Sequence, residues 1–384
     1  MIKFGWRHSL LYPGLFIIFL AIRRIIKYIL EKIIANDKYS FIMLFLIFTM
    51  EPILSLICLC HQKKNIRSSI EPQFLGIQLI QDDDILNKLT RPDSNLKIII
   101  LILITSYFEI VGALCRRSVT VDNANNNRDI YDEFHSKYRS TEIIISSILC
   151  YFTLNNKIYS HHKLSLLIIL ICLITIVVTT LFIIDYNDKY SLLRNVGLAL
   201  ISSTCRAYVD TIEKYLFDTD FIDIYKLMIF EGIIDSIASA NLMWLSEPRS
   251  DINKLVLMKD NDVTKLILVI LILLIYSIVS GLKNIFRRFT IKEFTPMTRA
   301  LAESILDPFY IIFGYITKKE KNIPYFIITL ICSIAMVFCS CVYNEIFVLY
   351  CCGLEKNTHL EIEIQVKQNL ELINEGKDEN EELN

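Results

Sequence analysis

The chain has 384 residues, of which 53% are hydrophobic and 21% charged, with a mean hydropathy of +0.45. Soluble globular domains carry about 45–50% apolar residues even with glycine included, so the composition points to a bilayer and excludes an ordinary soluble enzyme. A formal net charge of -1 supplies none of the bulk positive charge that nucleic-acid binding uses, and no nucleic-acid partner is expected.

Stretches long enough to cross or nearly cross a bilayer need roughly 17–25 residues. In chain order they fall at 9–30, 39–60, 97–115, 139–155, 163–184, 192–215, 222–244, 265–286, 298–317 and 324–349. Those at 39–60, 97–115, 163–184, 265–286 and 324–349 stand on hydropathy alone. The first is interrupted by Arg23, Arg24 and Lys27, which leaves open whether it spans. No small-residue cleavage site follows it, so it reads as retained and not as a signal peptide. The linkers are polar. Residues 61–96 carry Lys63-Lys64, Arg67 and Asp82-Asp83-Asp84, and 116–138 carry Arg116-Arg117 and the low-complexity patch Asn123–Asn127, which reads as a disordered insertion. Lys283, Arg287, Arg288 and Lys292 read as a basic loop, and 351–384 as an acidic, disordered tail. Most of the eleven cysteines lie in apolar runs without CxxC spacing, so they read as small buried hydrophobes. His161-His162 reads as a short turn, and no metal site or cofactor is expected.

Comparing the halves supports the weaker segments. Glu51-Pro52-Ile53 falls 180 residues before Glu231-Gly232-Ile233. Leu10-Leu11, Gly14, Arg23 and Glu31-Lys32 echo Leu192-Leu193, Gly197, Arg206 and Glu213-Lys214. The run from Lys97 to Gly112 echoes that from Lys265 to Gly281, and Arg139 with Glu142 echoes Arg299 with Glu303. Segments 163–184 and 324–349 follow in the same order. Five segments per half is an odd number, so the second half enters the membrane from the opposite side. The expected fold is all-α and integral to the membrane: ten transmembrane helices in two inverted-topology five-helix repeats, 1–186 and 187–350.

On these features the chain resembles the drug/metabolite transporter superfamily, including its EamA-like members and nucleotide-sugar-transporter-type solute carriers. Lys137 to Leu164 is similar to that family's fourth helix and the basic turn into the fifth. Ile212-Glu213-Lys214 followed by Phe230-Glu231-Gly232 is similar to its sixth and seventh helices. The long linkers 61–96 and 116–138 depart from the family and leave the substrate open. The resemblance implies a secondary transporter, with both termini cytosolic, in an endomembrane or the plasma membrane. Its partners would be the lipid bilayer and a small polar or anionic metabolite, with proton coupling and a homodimer left open.

Charged groups at membrane depth are costly and normally face a bundle interior or a water-filled cavity. Glu231 and Asp235, one helical turn apart, are the leading candidates, with Glu51 as the first-half equivalent of Glu231. Arg139 with Glu142, and Arg299 with Glu303, form charged pairs at the starts of equivalent helices, and Asp307 lies one turn on, beside a Pro308 that is expected to kink the helix. These arginines are read either as a bidentate fork for an anionic substrate or as interfacial anchors. Glu109 and Arg206 with Asp210 are read as their buried partners. No Walker loop, GxSxG elbow or HExxH is present, so no enzyme is expected. Two other classes stay open: a non-transporting receptor or assembly protein, and a membrane enzyme of lipid substrates using Asp82–Asp84.

Overall fold

A computed structural model of the chain describes residues 2–4, 11–34, 40–70, 92–121, 138–183, 189–220, 222–245, 263–318, 323–349, 358 and 361. Among them a bilayer-adapted pattern prevails. Backbone polar groups find no water in hydrocarbon, so apolar stretches satisfy them internally as helices. These are α1 (Leu11–Ile34), α2 (Ser40–Ile70), α3 (Pro92–Val121), α4 (Thr141–Thr153), α5 (Ser160–Ile183) and α6 (Lys189–Thr219). There follow α7 (Ile224–Leu245), α8 (Val263–Glu293), α9 (Pro296–Ser304), α10 (Asp307–Lys318) and α11 (Ile323–Tyr343). Five of them, within α2, α3, α5, α8 and α11, are long and apolar enough to cross a membrane. They are the five segments that stand out on hydropathy. The protein is therefore a largely helical, multi-pass membrane protein.

Each remaining segment of the sequence is helical as well, with one modification. The segment 298–317 is broken in two. Thr295 caps α9, its hydroxyl accepting the Thr298 N–H at 3.1 Å, and Pro296 takes the first helical position. The chain turns at Ile305-Leu306, and Asp307-Pro308 starts α10. Pro308 thus begins a helix, where the sequence suggests a kink inside one.

The helices bury polar residues and expose apolar ones. Phe152, Phe182, Phe309 and Ile316 stand outward, whereas Arg287, Arg299, Asp210 and Glu213 are almost inaccessible. That inversion is what a lipid solvent selects. The main packed pairs are α2 with α7, α3 with α6, α1 with α8, and α5 with α11. Secondary pairs are α2 with α8, α3 with α7, α4 with α6, α1 with α9, and α4 with α9. The α2–α7 crossing is close because Gly232 has no side chain: a Cβ there would lie 2.6 Å from Pro52 Cδ. Outside the bundle, β1 (Ile2–Phe4) and β2 (Phe347–Leu349) form an antiparallel ribbon pairing Ile2 with Leu349 and Phe4 with Phe347.

Several sequence-based expectations need correction. Lys283, Arg287, Arg288 and Lys292 are not a loop, because α8 continues to Glu293 and buries the first three. His161-His162 belongs to the first turn of α5. The linkers are shorter than expected, α2 running to Ile70 and α3 from Pro92 to Val121. In the tail, Thr358 is buried and its hydroxyl accepts the Glu361 N–H. The acids Asp82–Asp84, the patch Asn123–Asn127 and the rest of 351–384 lie outside the described residues.

Candidate functional site

Helical spacing gathers the charges on inward faces. On α8, Lys283, Asn284, Arg287 and Arg288 share one buried stripe, and on α6 Asp210 and Glu213 do the same, with the partly buried Arg206 on the same face. Facing them are Glu51 of α2, Glu109 of α3, Glu231 and Asp235 of α7, Glu142 of α4 and Arg299 with Glu303 of α9. Seven helix faces that are individually unfavourable in a bilayer become compatible by facing one another.

Two arginine-centred groups result. Arg288 donates through Nε to Glu213 Oε1 at 2.8 Å, forms a short hydrogen bond to Glu231, and lies 3.7 Å from Glu51 Oε2. Glu231 also accepts from Thr105 at 2.7 Å, and Glu51 from the Asn284 amide. Arg287 donates to the same Glu213 Oε1 at 2.6 Å, with Asp210 and Glu109 at 3.4 and 3.6 Å. The second group centres on Arg299, whose Nη1 donates to Glu142 and Glu303, each at 2.8 Å, and whose Nη2 donates to Asp210. Arg139 reaches Asp307 at 3.0 Å and Glu303 at 3.8 Å, and Arg206 lies 3.9 Å from both Glu109 and Glu303. Asp210 connects the groups by touching both Arg287 and Arg299.

The sequence-predicted residues divide clearly. Glu51, Glu231, Arg139, Glu142, Arg299, Glu303 and Asp307 all enter the network. Arg299 is fully buried and paired with three carboxylates, so its guanidinium does not reach out of the bundle. Asp235 stands apart. It is 3% exposed, makes no ion pair among the described residues, and its Oδ1 accepts no hydrogen bond; its charged neighbours are Glu109, Glu231 and Glu51. The mirror case is Lys283, 2% exposed, with no carboxylate within ion-pair distance among the described residues. Arg23, Arg206 and Arg287 surround it, with Glu303 the nearby acid. Sequence reasoning missed Lys283, Asn284, Arg287 and Arg288 as site residues. The signal was available in their spacing, which continues the inward stripe of α8 from Tyr276 and Ser280.

Pairs aligned between the two halves of the sequence also meet in space. Arg139 reaches Glu303 while Arg299 reaches Glu142. Glu51 and Glu231 share Arg288. Pro52 and Gly232 touch.

No histidine or cysteine among the described residues is part of this network. Among the described residues, a group with metal-ligand character occurs elsewhere, where His161 and His162 at the start of α5 meet Glu345 beyond α11. Chemically, the network offers a cation-rich region around Lys283 and a carboxylate-rich region around Asp235, within one bundle. Neither a family model nor a curated protein sequence matches the chain.

Proposed function

We propose that this protein is a secondary transporter of a small polar or anionic metabolite, working by alternating access between two inverted five-helix halves, 1–186 and 187–350. The observation that carries the reading is the reciprocity of the buried pairs. In a two-fold arrangement, residue i contacts j′ and j contacts i′, as Arg139–Glu303 and Arg299–Glu142 do. Residues near such an axis meet their own equivalents, as Pro52 meets Gly232.

The helix pairs support the same symmetry. With α9 and α10 counted as one ninth helix, exchanging the halves turns the α1–α8 pair into α6–α3. The same exchange leaves α2–α7, α4–α9 and α5–α11 unchanged. The β1–β2 ribbon adds an independent argument. It holds the chain before α1 and after α11 on one side of the membrane, which requires an even number of crossings between them. Five is odd. Ten crossings, as the inverted-repeat reading has it, meet the requirement.

Stability alone does not account for the network. Replacing a buried ion pair with apolar residues is often neutral or stabilising, so a scaffold without function has no need of one. Lys283 and Asp235 matter most, since a buried charge without an ion-pair partner is expensive unless something neutralises it. In our reading Lys283, with Arg206, holds an anionic group of the substrate, and Asp235 takes a proton or the cationic end of a zwitterion. A non-transporting receptor would have no use for either. The absence of any hydrolase or nucleotide-binding motif agrees with a carrier and not an enzyme, and an endomembrane or the plasma membrane is its proposed site.

The test is counterflow in proteoliposomes against a panel of small organic anions and zwitterions. Lys283→Ala is expected to abolish exchange while the protein remains monodisperse, and Lys283→Arg to retain part of it. Exchange by Lys283→Ala equal to the unmodified protein's, or no exchange of any panel member, would sink the proposal.

A further inference from the structure

The start of α5 and the turn after α11 meet at a cluster unrelated to the charge network. His161 is 3% exposed, and neither of its ring nitrogens has a hydrogen-bond partner. Its Nε2 nevertheless lies 3.3 Å from Glu345 Oε1. His162 packs against it with ring centroids 4.0 Å apart, and one ligand atom from each of His161, His162 and Glu345 lies within 4.8 Å of the others. The backbone N–H of Tyr159 donates to His162 Nδ1 at 3.2 Å, which directs Nε2 to any ligand role. Tyr343 closes one side, its ring 4.5 Å from that of His162.

Glu345 is held in place by the helix end. The N–H of Ile346 bonds to Cys341 O and that of Glu345 to Val342 O, the paired pattern of a Schellman cap. The cap position calls for a left-handed residue, usually glycine, yet Glu345 occupies it with φ of 55°. A side chain there costs of order 1–2 kcal/mol in conformational energy. A glycine would remove that strain and also remove the carboxylate.

We infer that His161, His162 and Glu345 form a binding site for a divalent transition-metal ion, zinc by donor type. Two imidazoles and one carboxylate are a zinc donor set, leaving a fourth position for water or another ligand. Ligands about 2.0–2.1 Å from a tetrahedral zinc stand roughly 3.3–3.4 Å from each other, which is the His161–Glu345 separation. A metal bound through Nε2 would give one of the two unpartnered nitrogens of His161 a ligand role beside Glu345. Because α5 and α11 pack against each other, the ion would staple the final helices of the two halves at one membrane edge. The site does not depend on transport by the protein.

The experiment uses full-length protein in detergent, dialysed against a chelator and titrated with Zn2+ by calorimetry, with Co2+ as a spectroscopic substitute. A saturable site is expected, with the visible d–d absorption of low-coordinate Co2+ and a rise in thermal midpoint on adding Zn2+. Loss of one ligand should weaken binding at least as much as loss of an outer-shell partner, about 100-fold, in both His161→Ala and Glu345→Gln. Glu345→Gln keeps the shape of the side chain, so its folding is checked by gel filtration and its titration stands even if His161→Ala does not fold. His61→Ala, on an exposed residue of α2, should bind Zn2+ as the unmodified protein does. Equal Zn2+ affinity and equal Co2+ spectra in the unmodified protein and Glu345→Gln would overturn the site, as would preference for Mg2+ or Ca2+.

Discussion

Arg299 shows at the residue scale what a buried cation does in this bundle. Its guanidinium is fully buried and contacts Glu142, Glu303 and Asp210. Truncation to Met leaves three carboxylates without that partner, and breaking a buried pair typically costs about 3–5 kcal/mol. Thermal unfolding in detergent should register that loss for Arg299→Met. Adding Glu142→Gln and Glu303→Gln to the same variant should recover part of it, since two of the stranded charges are then gone. Additive losses across the three substitutions would show that these groups are not coupled. The individual acids were legible in the sequence because a charge in an apolar run is conspicuous. Arg287 and Arg288 were not, for a physical reason. Hydropathy charges each ionised group its full transfer cost, whereas pairing across helices cancels most of it. A paired arginine therefore looks like the end of a span when it lies inside one.

At the scale of elements, the close approach of α2 and α7 is set by glycine. Gly232 admits Pro52 of α2, and any Cβ at that position meets the proline ring at 2.6 Å, a rigid group that cannot rotate away. Overpacking of this kind costs about 1–3 kcal/mol, so Gly232→Ala should lower the thermal midpoint. Pro52→Ala in the same background should restore it by removing the obstructing ring. Failure of the second change to rescue the first would mean that the two helices do not touch there. The ten helical stretches were legible because apolar runs and their polar punctuation are local signals. The division of the ninth into α9 and α10 was partly legible: Thr295-Pro296 and Asp307-Pro308 each mark a helix start. Reading Pro308 as a kink missed that Asp307 lies in the first turn of a new helix, where a carboxylate and a proline are both favoured. His161-His162 was misread similarly, since a helix that begins with Ser160 has no apolar residue in its first turn before Leu164.

For the whole molecule, the most informative contact is a two-stranded ribbon. The ribbon of Ile2–Phe4 with Phe347–Leu349 joins chain ends separated by every helix of the bundle. A two-stranded ribbon has open edges whose backbone groups need water, so it cannot lie in hydrocarbon. Both strands therefore share one aqueous side. The sequence could not reveal this, because basic residues divide almost evenly between the alternate linkers and give no preferred orientation. The five helices that pass on hydropathy, if they alone crossed, would place the strands on opposite sides. An even number of crossings removes that contradiction, and the proposed ten meet it, with the ion pairs between helices lowering the cost of charge in lipid. Epitope tags fused to the two ends, assayed by protease protection in sealed vesicles, should thus be cut together or protected together. If one tag were cut and the other protected, the number of crossings would be odd, and the inverted five-plus-five arrangement would fall with it.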